Sequence, residues 1–143
     1  MTVATILNEK GREVLTVGQE ETIESTAKLL ADKRVGAIVI ADKERHVIGI
    51  ISERDVVRAI ARGGAKALTQ KVKTFMTHDV VTCHDDDTIA MLMERMTAGK
   101  FRHLPVVDDG LLAGIISIGD VVKQRIAEAE FEAQAMREYI ATG

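Results

Sequence analysis

The chain has 143 residues, of which 46% are hydrophobic and 29% are charged, the balance of an ordinary globular protein of about one domain. This composition excludes a disordered tail, a collagen-like fibre and a low-complexity linker. The formal net charge is −3 and aromatic residues make up only 3%, so the chain offers neither a generally basic surface for phosphate backbones nor aromatic platforms for bases. We therefore expect no nucleic-acid partner.

The sequence also indicates the compartment. No apolar run approaches the ~20 residues that a membrane-spanning helix needs, and the first residues lack the basic start and long apolar stretch of a signal peptide. The single cysteine, Cys83, excludes an internal disulfide framework and fits a reducing environment. We therefore expect a cytoplasmic protein with no membrane partner.

Apolar periodicity predicts the same series of elements in each half of the chain: a lead-in, a short strand, a helix, two strands and a second helix. In chain order, the first half has a lead-in at 3–7, a strand at 14–17, a helix that buries Ile23, Ala27 and Leu30, strands at 36–42 and 46–52, and a helix from Ser52 to Arg62. The second half has a lead-in at 72–76, a strand at 80–83, a helix that buries Ile89, Met93 and Met96, strands at 104–108 and 111–117, and a final helix.

These two halves are copies of one unit. The segment GIISERDVV from Gly49 and the segment GIISIGDVV from Gly114 are identical at seven of nine positions. Upstream, VLTVGQEETI from Val14 matches VVTCHDDDTI from Val80, with valine, threonine and isoleucine in register. Self-similarity of this kind predicts a repeated structural unit.

The final helix continues past its counterpart in the first half. Either it folds back on the surface of its own chain, or it packs on a second subunit. An exposed apolar stripe usually marks an interface, and two-fold pairing is the commonest way to bury one, so we expect a homodimer. The apolar stripe consists of Val122, Ile126, Ala129, Met136 and Ile140.

Two β-α-β-β-α units, each closing with Gly-Ile-Ile-Ser-x-x-Asp-Val-Val, resemble a tandem of CBS domains, the pair called a Bateman module. The resemblance covers roughly Val3 to Ile126. It implies an α+β (mixed α/β) fold with pseudo-two-fold symmetry and a non-catalytic regulatory module that binds adenosine ligands between the repeats. The expected divisions are a first repeat at 1–65, a second repeat at 66–127 and an extended C-terminal helix at 128–143.

The motifs Ser52-x-x-Asp55 and Ser117-x-x-Asp120 carry the main site prediction. By spacing alone, each is a capping box at a helix start. A helix N-terminus also attracts phosphate, and a carboxylate one turn further can accept hydrogen bonds from ribose hydroxyls. The resemblance favours the ligand role, with each aspartate at a ribose and each serine near the phosphates.

The rest of each predicted site follows from the chemistry of a nucleotide. Adenine needs an apolar slot with a few polar groups, and phosphates need cations, although ordinary strand packing and surface solvation explain the same residues. Arg54 has Gly119 as its counterpart, so the two sites would not be equivalent. The candidates are Thr16 and Ala37 with Arg54 in the first site, and Thr82, Leu104 and Pro105 with Lys100, Arg102 and His103 in the second.

No catalytic motif accompanies these residues, so we expect neither an enzyme nor a required cofactor. A metal site is not expected either, because His78, His84 and the acidic run 85–87 match no familiar ligand spacing. Acidic residues just before a helix are expected capping chemistry. We expect AMP as the regulatory ligand, while ADP, ATP, NAD and S-adenosylmethionine stay open, as does the target protein. The alternative is a constitutive interaction dimer with vestigial pockets, and the retention of serine and aspartate in both repeats favours the sensor.

Overall fold

The structure, a computed structural model, describes residues 1–142. Two repeats of mixed helix and strand are connected by short 3₁₀ turns at Gly64–Thr69 and Val72–Thr74, and the predicted fold class is confirmed. The helices are α1 Val3–Lys10, α2 Ile23–Lys33, α3 Glu53–Gly63, α4 Ile89–Gly99 and α5 Ile118–Thr142. The strands are β1 Thr16–Val17, β2 Ala37–Ala41, β3 Val47–Ser52, β4 His103–Asp108 and β5 Leu111–Ser117.

The first repeat is built on a three-stranded sheet in the order β1-β2-β3. β1 runs parallel to β2, and β2 runs antiparallel to β3. α2 begins after Thr22, whose hydroxyl accepts a hydrogen bond from the N–H of Ser25 at 3.1 Å and so satisfies a free donor at the helix start. The aliphatic core includes Ile23, Leu30, Ile38, Ile40, Ile51 and Val56.

The second repeat has the two-stranded sheet β4-β5 and differs from the prediction in one element. The strand expected at 80–83 is reduced to Cys83, which bridges to Val106 in parallel and exchanges backbone hydrogen bonds with β4. Pairing ends there because the chain turns at once. The carboxylate of Asp87 accepts a hydrogen bond from the N–H of His84 at 2.9 Å, which holds that turn closed.

The buried face of α4 also differs from the prediction. Ile89 and Met96 are buried as expected, but Leu92 is 0% exposed and Met93 is 36% exposed. The spacing i, i+3, i+7 puts Ile89, Leu92 and Met96 on one stripe of the helix, and Met93 lies at its edge. The helix was predicted correctly, but Leu92 and not Met93 is the buried residue in its middle turn.

Each lead-in packs against the other half of the chain. α1 enters the core of the second repeat through Val3, Ile6 and Leu7. The segment between the repeats enters the core of the first repeat through Val72 and Met76. The two lead-ins therefore cross, and each repeat is completed by a segment that precedes the other repeat in the chain.

Ion pairs hold the crossed segments in place. The guanidinium of Arg12 makes two hydrogen bonds to the carboxylate of Asp85, at 2.7 and 3.1 Å. Lys71 and Lys73 both pair with Glu20 at the start of the first repeat. Hydrogen bonds from these two lysines lower the pKa of Glu20 to about 2. The crossed lead-ins are thus stabilised by ion pairs at the surface as well as by apolar packing in the cores.

α5 is one continuous helix of 25 residues. It passes without a break through the expected division between 127 and 128, and that division and the one at 65 stay predictions. Gly143, the last residue of the expected C-terminal segment, lies outside the described residues. No helix within residues 1–142 is both long and apolar enough to cross a membrane. The far part of α5 exposes Phe131, Met136, Tyr139 and Ile140, each by 58–75%.

Candidate functional site

A cavity of about 430 Å³ lies between the two repeats. Its walls come from the start of β2, the junction of β3 and α3, the segment 77–81 and the turn that leads into β4. The volume is in the range of small-molecule pockets in proteins. Part of the wall is apolar and consists of Ala37, Ile50, Val80, Val81, Phe101 and Ile118.

The junction of β3 and α3 places Ser52 and Asp55 on the cavity wall. The N–H and the hydroxyl of Ser52 both donate to Oδ2 of Asp55, at 2.8 and 3.0 Å, and the N–H of Asp55 donates to Ser52 Oγ at 3.3 Å. This is the predicted capping box. Because both hydrogen bonds to the carboxylate use Oδ2, Oδ1 lies outside the cap, 3.9 Å from the guanidinium of Arg58. The cap and a ligand role are therefore compatible.

Backbone pairing fixes the segment 77–81 beside β3. Ile50 and Thr77 exchange two hydrogen bonds, of 2.9 and 3.1 Å. This pairing carries Asp79, Val80 and Val81 along the cavity. The sequence prediction missed Asp79, whereas Val80 and Val81 belong to the strand entry predicted at 80–83. The echo between the two lead-ins was the available signal, because it marks this segment as part of a repeat.

Four cationic side chains line the cavity: Arg54 and Arg58 on α3, and Lys100 and Arg102 before β4. Lys100 ends α4 in the left-handed conformation, with φ 55°, and so turns the chain toward β4. Arg58 was not predicted, although its position one helical turn after Arg54 was a usable signal. The carboxylates on the same walls are Glu53, Asp55 and Asp79.

His103 begins β4 at the point where the two repeats meet. A Cβ placed on Gly36 would lie 3.1 Å from Cε1 of the His103 ring. Burial lowers the pKa of His103, and the positive charge of Lys10 lowers it further. The ring is therefore neutral near pH 7 and contributes hydrogen bonding to the cavity rather than charge.

The second Ser-x-x-Asp motif does not line this cavity. The N–H of Ser117 donates to Oδ2 of Asp120 at 2.9 Å, and the N–H of Asp120 donates to Ser117 Oγ at 3.1 Å, so the cap is present. The ammonium of Lys10 lies 2.7 Å from the same Oδ2 and 2.9 Å from the carbonyl oxygen of Ile115. Burial alone would raise the pKa of Asp120, but hydrogen bonds from Lys10 and Ser117 outweigh it and lower the pKa.

The structure places the other predicted residues away from the cavity walls. Thr16 lies in β1 opposite Val39, and Leu104 and Pro105 are buried in β4. The carbonyl of Thr82 accepts a hydrogen bond from Arg95 at 3.4 Å. The predicted residues that do line the cavity are Ala37, Ser52, Arg54, Asp55, Lys100, Arg102 and His103.

One grouping is corrected by the structure. The cations of the second repeat, Lys100 and Arg102, were assigned to the site of Asp120, yet they lie on the walls that also contain Asp55. The physical reason is the packing of the repeats: the turn before β4 meets the start of β2, which brings it to the α3 side. The cavity is therefore built jointly by the two repeats.

Two acidic groups have clear structural roles. Asp87 accepts a hydrogen bond from Arg95 at 2.7 Å at the start of α4. Asp42, Glu44 and His46 lie close together in the exposed turn between β2 and β3, where Asp42 accepts hydrogen bonds from the N–H groups of both other residues. The acidic residues at these positions therefore serve to accept hydrogen bonds, Asp42 within a turn and Asp87 at a helix start.

Two repeats with matching capping boxes are the arrangement that the sequence predicts for a CBS pair, and the structure joins them around the cavity that contains Asp55. The CBS domain family model matches residues 7–62 and 72–126. The chain belongs to the CBS domain family. The two matches contain one Ser-x-x-Asp motif each, so the CBS repeats coincide with the structural repeats.

Known CBS proteins resemble the chain over most of its length. A mitochondrial CBS domain-containing protein of Arabidopsis thaliana is 30% identical, over 99% of this chain and 73% of its own. The crystal structure of a CBS-domain containing protein of Agrobacterium tumefaciens is 49% identical, with a TM-score of 0.85 over 87% of this chain and 99% of that chain. A CBS domain protein of Pyrobaculum aerophilum, complexed with AMP, is 28% identical, with a TM-score of 0.75 over 84% of this chain and 89% of that chain.

Proposed function

We propose that this CBS pair is a non-catalytic regulatory module that binds an adenosine nucleotide, AMP in the first place, in the cavity between its repeats. In this role the protein needs no cofactor, and the nucleotide is its regulatory ligand. A partner protein, whose identity is open, reads the bound state. A cytoplasmic location agrees with the lone buried thiol of Cys83, which a reducing compartment keeps unpaired.

The observation that carries this proposal is the combination of chemistries in one cavity. Asp55 offers a carboxylate to the ribose hydroxyls, while Arg54, Lys100 and Arg102 offer positive charge to a phosphate on the same walls. Val80 and Val81 form an apolar strip on the cavity wall, and Val81 is 44% exposed. A flat adenine ring is a suitable cover for such a strip.

The comparison with the Pyrobaculum protein supports the same ligand class. That protein is complexed with AMP, and its fold is shared with this chain over 84% of the residues. The two proteins are 28% identical over the matched region. The choice of AMP over ADP, ATP, NAD or S-adenosylmethionine is therefore a matter for direct measurement.

Calorimetric titration with these five ligands tests the proposal. We expect AMP to bind the wild-type chain and the Asp55→Asn variant to bind it about 10- to 150-fold more weakly, because a charge-assisted hydrogen bond is worth ~1.5–3 kcal/mol. Asp86→Asn is the matched control, since Asp86 is exposed and does not line the cavity. Equal affinity of the Asp55→Asn variant, or no heat with any of the ligands at millimolar concentration, would contradict the proposal.

We also propose that the protein is a homodimer in which α5 contributes to the interface. Apolar residues remain uncovered on both helices that follow a Ser-x-x-Asp motif: Val57 and Ile60 on α3, and Val122 and Ile126 on α5. These residues and the exposed far part of α5 form an apolar surface whose contact with water is unfavourable. A second copy of the chain buries this surface in a two-fold symmetric interface. A constitutive dimer with inactive pockets is the alternative that the same surface supports.

Light scattering at micromolar concentration tests the assembly. We expect twice the chain mass for the wild type and the chain mass for Met136→Glu/Ile140→Glu, because charges on the exposed stripe oppose its burial. Ala127→Glu/Ala141→Glu is the matched control, since both alanines are exposed on the other side of α5. A monomeric wild type would contradict the dimer. A dimer that binds no nucleotide would favour the alternative function.

A further inference from the structure

The two Ser-x-x-Asp motifs have different neighbours, and we call the surroundings of Asp55 the first cleft and the surroundings of Asp120 the second cleft. In the first repeat, the carbonyl of Ile50 accepts a hydrogen bond from the backbone N–H of Thr77 at 2.9 Å. In the second repeat, Ile115 occupies the position that Ile50 has in the first, and its carbonyl accepts from the side chain of Lys10 at 2.9 Å. A side-chain ammonium thus replaces a backbone donor at equivalent positions.

The length of α1 explains this difference. The lead-in before the second repeat leaves its 3₁₀ turn at Thr74, and Thr77 then forms a backbone bridge to Ile50 in β3. α1 instead stays helical to Lys10 and ends at Gly11, whose φ of 95° suits glycine. Counted along the sequence from the paired lead-in residues Leu7 and Met76, Lys10 corresponds to Asp79, a residue of the cavity wall. The first lead-in therefore has a basic residue where the second has an acidic one.

The ammonium of Lys10 also engages the motif carboxylate. It lies 2.7 Å from Oδ2 of Asp120. Within residues 1–142, the counterpart Oδ2 of Asp55 accepts hydrogen bonds from the N–H and the hydroxyl of Ser52 and from no other group. Both partners are partly covered, with side-chain exposures of 33% and 23%. The pair is therefore screened less than a fully exposed one, and a ribose hydroxyl that approaches Asp120 has to compete with a cation that is already in contact.

We propose that Lys10 occupies the second cleft as an internal cation, so that each chain binds one nucleotide, at Asp55, and none at Asp120. The identity of the ligand rests on the proposed function. The inference adds the number of nucleotides bound by each chain and names Lys10 as the residue that determines this number. Replacing Lys10 by an uncharged side chain frees the Asp120 carboxylate for ribose hydroxyls. The ion pair between Lys10 and Asp120 thus restricts nucleotide binding to one of the two pseudo-symmetric clefts.

The test measures AMP binding at the second cleft in variants whose first cleft is weakened by Asp55→Asn. AMP is titrated calorimetrically into Asp55→Asn and into Asp55→Asn/Lys10→Met, in which methionine keeps the unbranched apolar stem without the charge. We expect the double variant to bind AMP at least tenfold more tightly than Asp55→Asn. Adding Asp120→Asn to the double variant should abolish this gain, and Asp55→Asn/Lys10→Arg, which retains a cation, should show none.

The controls separate folding from binding. Asp55→Asn/Lys28→Met is the matched control, because Lys28 is an exposed lysine on α2 that pairs with Glu24. Urea unfolding establishes that each variant is folded, and Lys10→Gln replaces Lys10→Met if the latter is not. A folded double variant without a gain in affinity would overturn the inference, as would a wild-type chain that binds two AMP molecules. A wild-type chain that binds none overturns the proposed function, while the gain in the double variant is still measured independently.

Discussion

The side chain of Leu7 fills the space that a Cβ on Gly114 would occupy. Such a Cβ would lie 2.9 Å from both Cδ1 and Cδ2 of Leu7. The first repeat contains the same relationship, since a Cβ on Gly49 would overlap the thioether of Met76. The glycine of each Gly-Ile-Ile-Ser motif is therefore the point at which a crossed lead-in enters a repeat.

Gly114→Ala should destabilise the protein by about 1–3 kcal/mol, because an added methyl group forces Leu7 out of a packed position. Leu7→Ala should cost about 2–5 kcal/mol by leaving a cavity. The double variant should be less destabilised than the two costs added together, since the smaller side chain makes room for the new methyl group. Urea unfolding of the four proteins measures the coupling.

Gly18→Ala is the control for that cycle, because a Cβ on Gly18 would meet nothing within 4 Å. Additive costs of Gly114→Ala and Leu7→Ala would contradict the contact, and with it the docking of α1 on the second repeat.

The repeat made most of the fold predictable. Identity across the two Gly-Ile-Ile-Ser motifs predicted the junctions at Ser52 and Ser117, and apolar periodicity predicted the strands beside them. The crossing of the lead-ins was not predicted, because Leu7 and Met76 echo each other. Apolar periodicity indicates that a segment has a buried face. It does not indicate which of two similar cores that face packs against.

Arg54→Ala and Arg102→Ala should each weaken AMP binding about tenfold, because a phosphate loses one charged partner on the cavity wall. The effect should shrink as salt is added, since screening weakens the interaction of partly exposed charges. Titrations at low and high salt measure both trends. Arg62→Ala is the matched control on the same helix, outside the cavity, and equal losses in all three variants would contradict a specific phosphate site.

Asp87 should stabilise the protein at neutral pH and not in strong acid. Burial alone would raise its pKa, but hydrogen bonds from Arg95 and from the N–H of His84 lower it. The contribution is therefore present above the unfolded pKa of ~3.9 and is lost as the pH falls through the lower folded pKa. Asp87→Asn should cost about 1.5 kcal/mol at pH 7.

Urea unfolding from pH 7 to pH 3 measures this dependence. The difference between the wild type and Asp87→Asn should narrow below about pH 4, while Asp86→Asn, at the exposed neighbouring residue, should differ little from the wild type at any pH. A difference of constant size across the range would contradict an ionic contribution.

Cys83 should resist thiol reagents in the folded protein. Its side chain is fully buried, and burial raises the pKa of the thiol to about 12. At pH 8 only about one thiol in 10⁴ is then ionised, and the thiolate is the reactive form. A disulfide reagent should label Cys83 promptly in guanidinium and hardly at all without it. Labelling within minutes in the absence of denaturant would contradict its place in the core.

Less of the site than of the fold could be predicted. The motif identified Asp55, and the basic residues before β4 identified Lys100 and Arg102, but the sequence assigned them to different clefts. Their common cavity depends on how one repeat rotates against the other, which no local pattern records. The ion pair of Lys10 was missed for the same reason, since Lys10 and Asp120 are distant in the chain and meet only through the crossing.

The crossed lead-ins also determine the order in which the molecule can be completed. α1 is synthesised before β5, yet the apolar side chains of α1 pack in a core to which β5 contributes Ile116. The core of the first repeat is complete once Val72 and Met76 have been synthesised. The apolar face of α1 stays exposed until the strands of the second repeat have been made. Folding on the ribosome should therefore begin with the first repeat, and α1 should stay without its core until the second repeat has been synthesised.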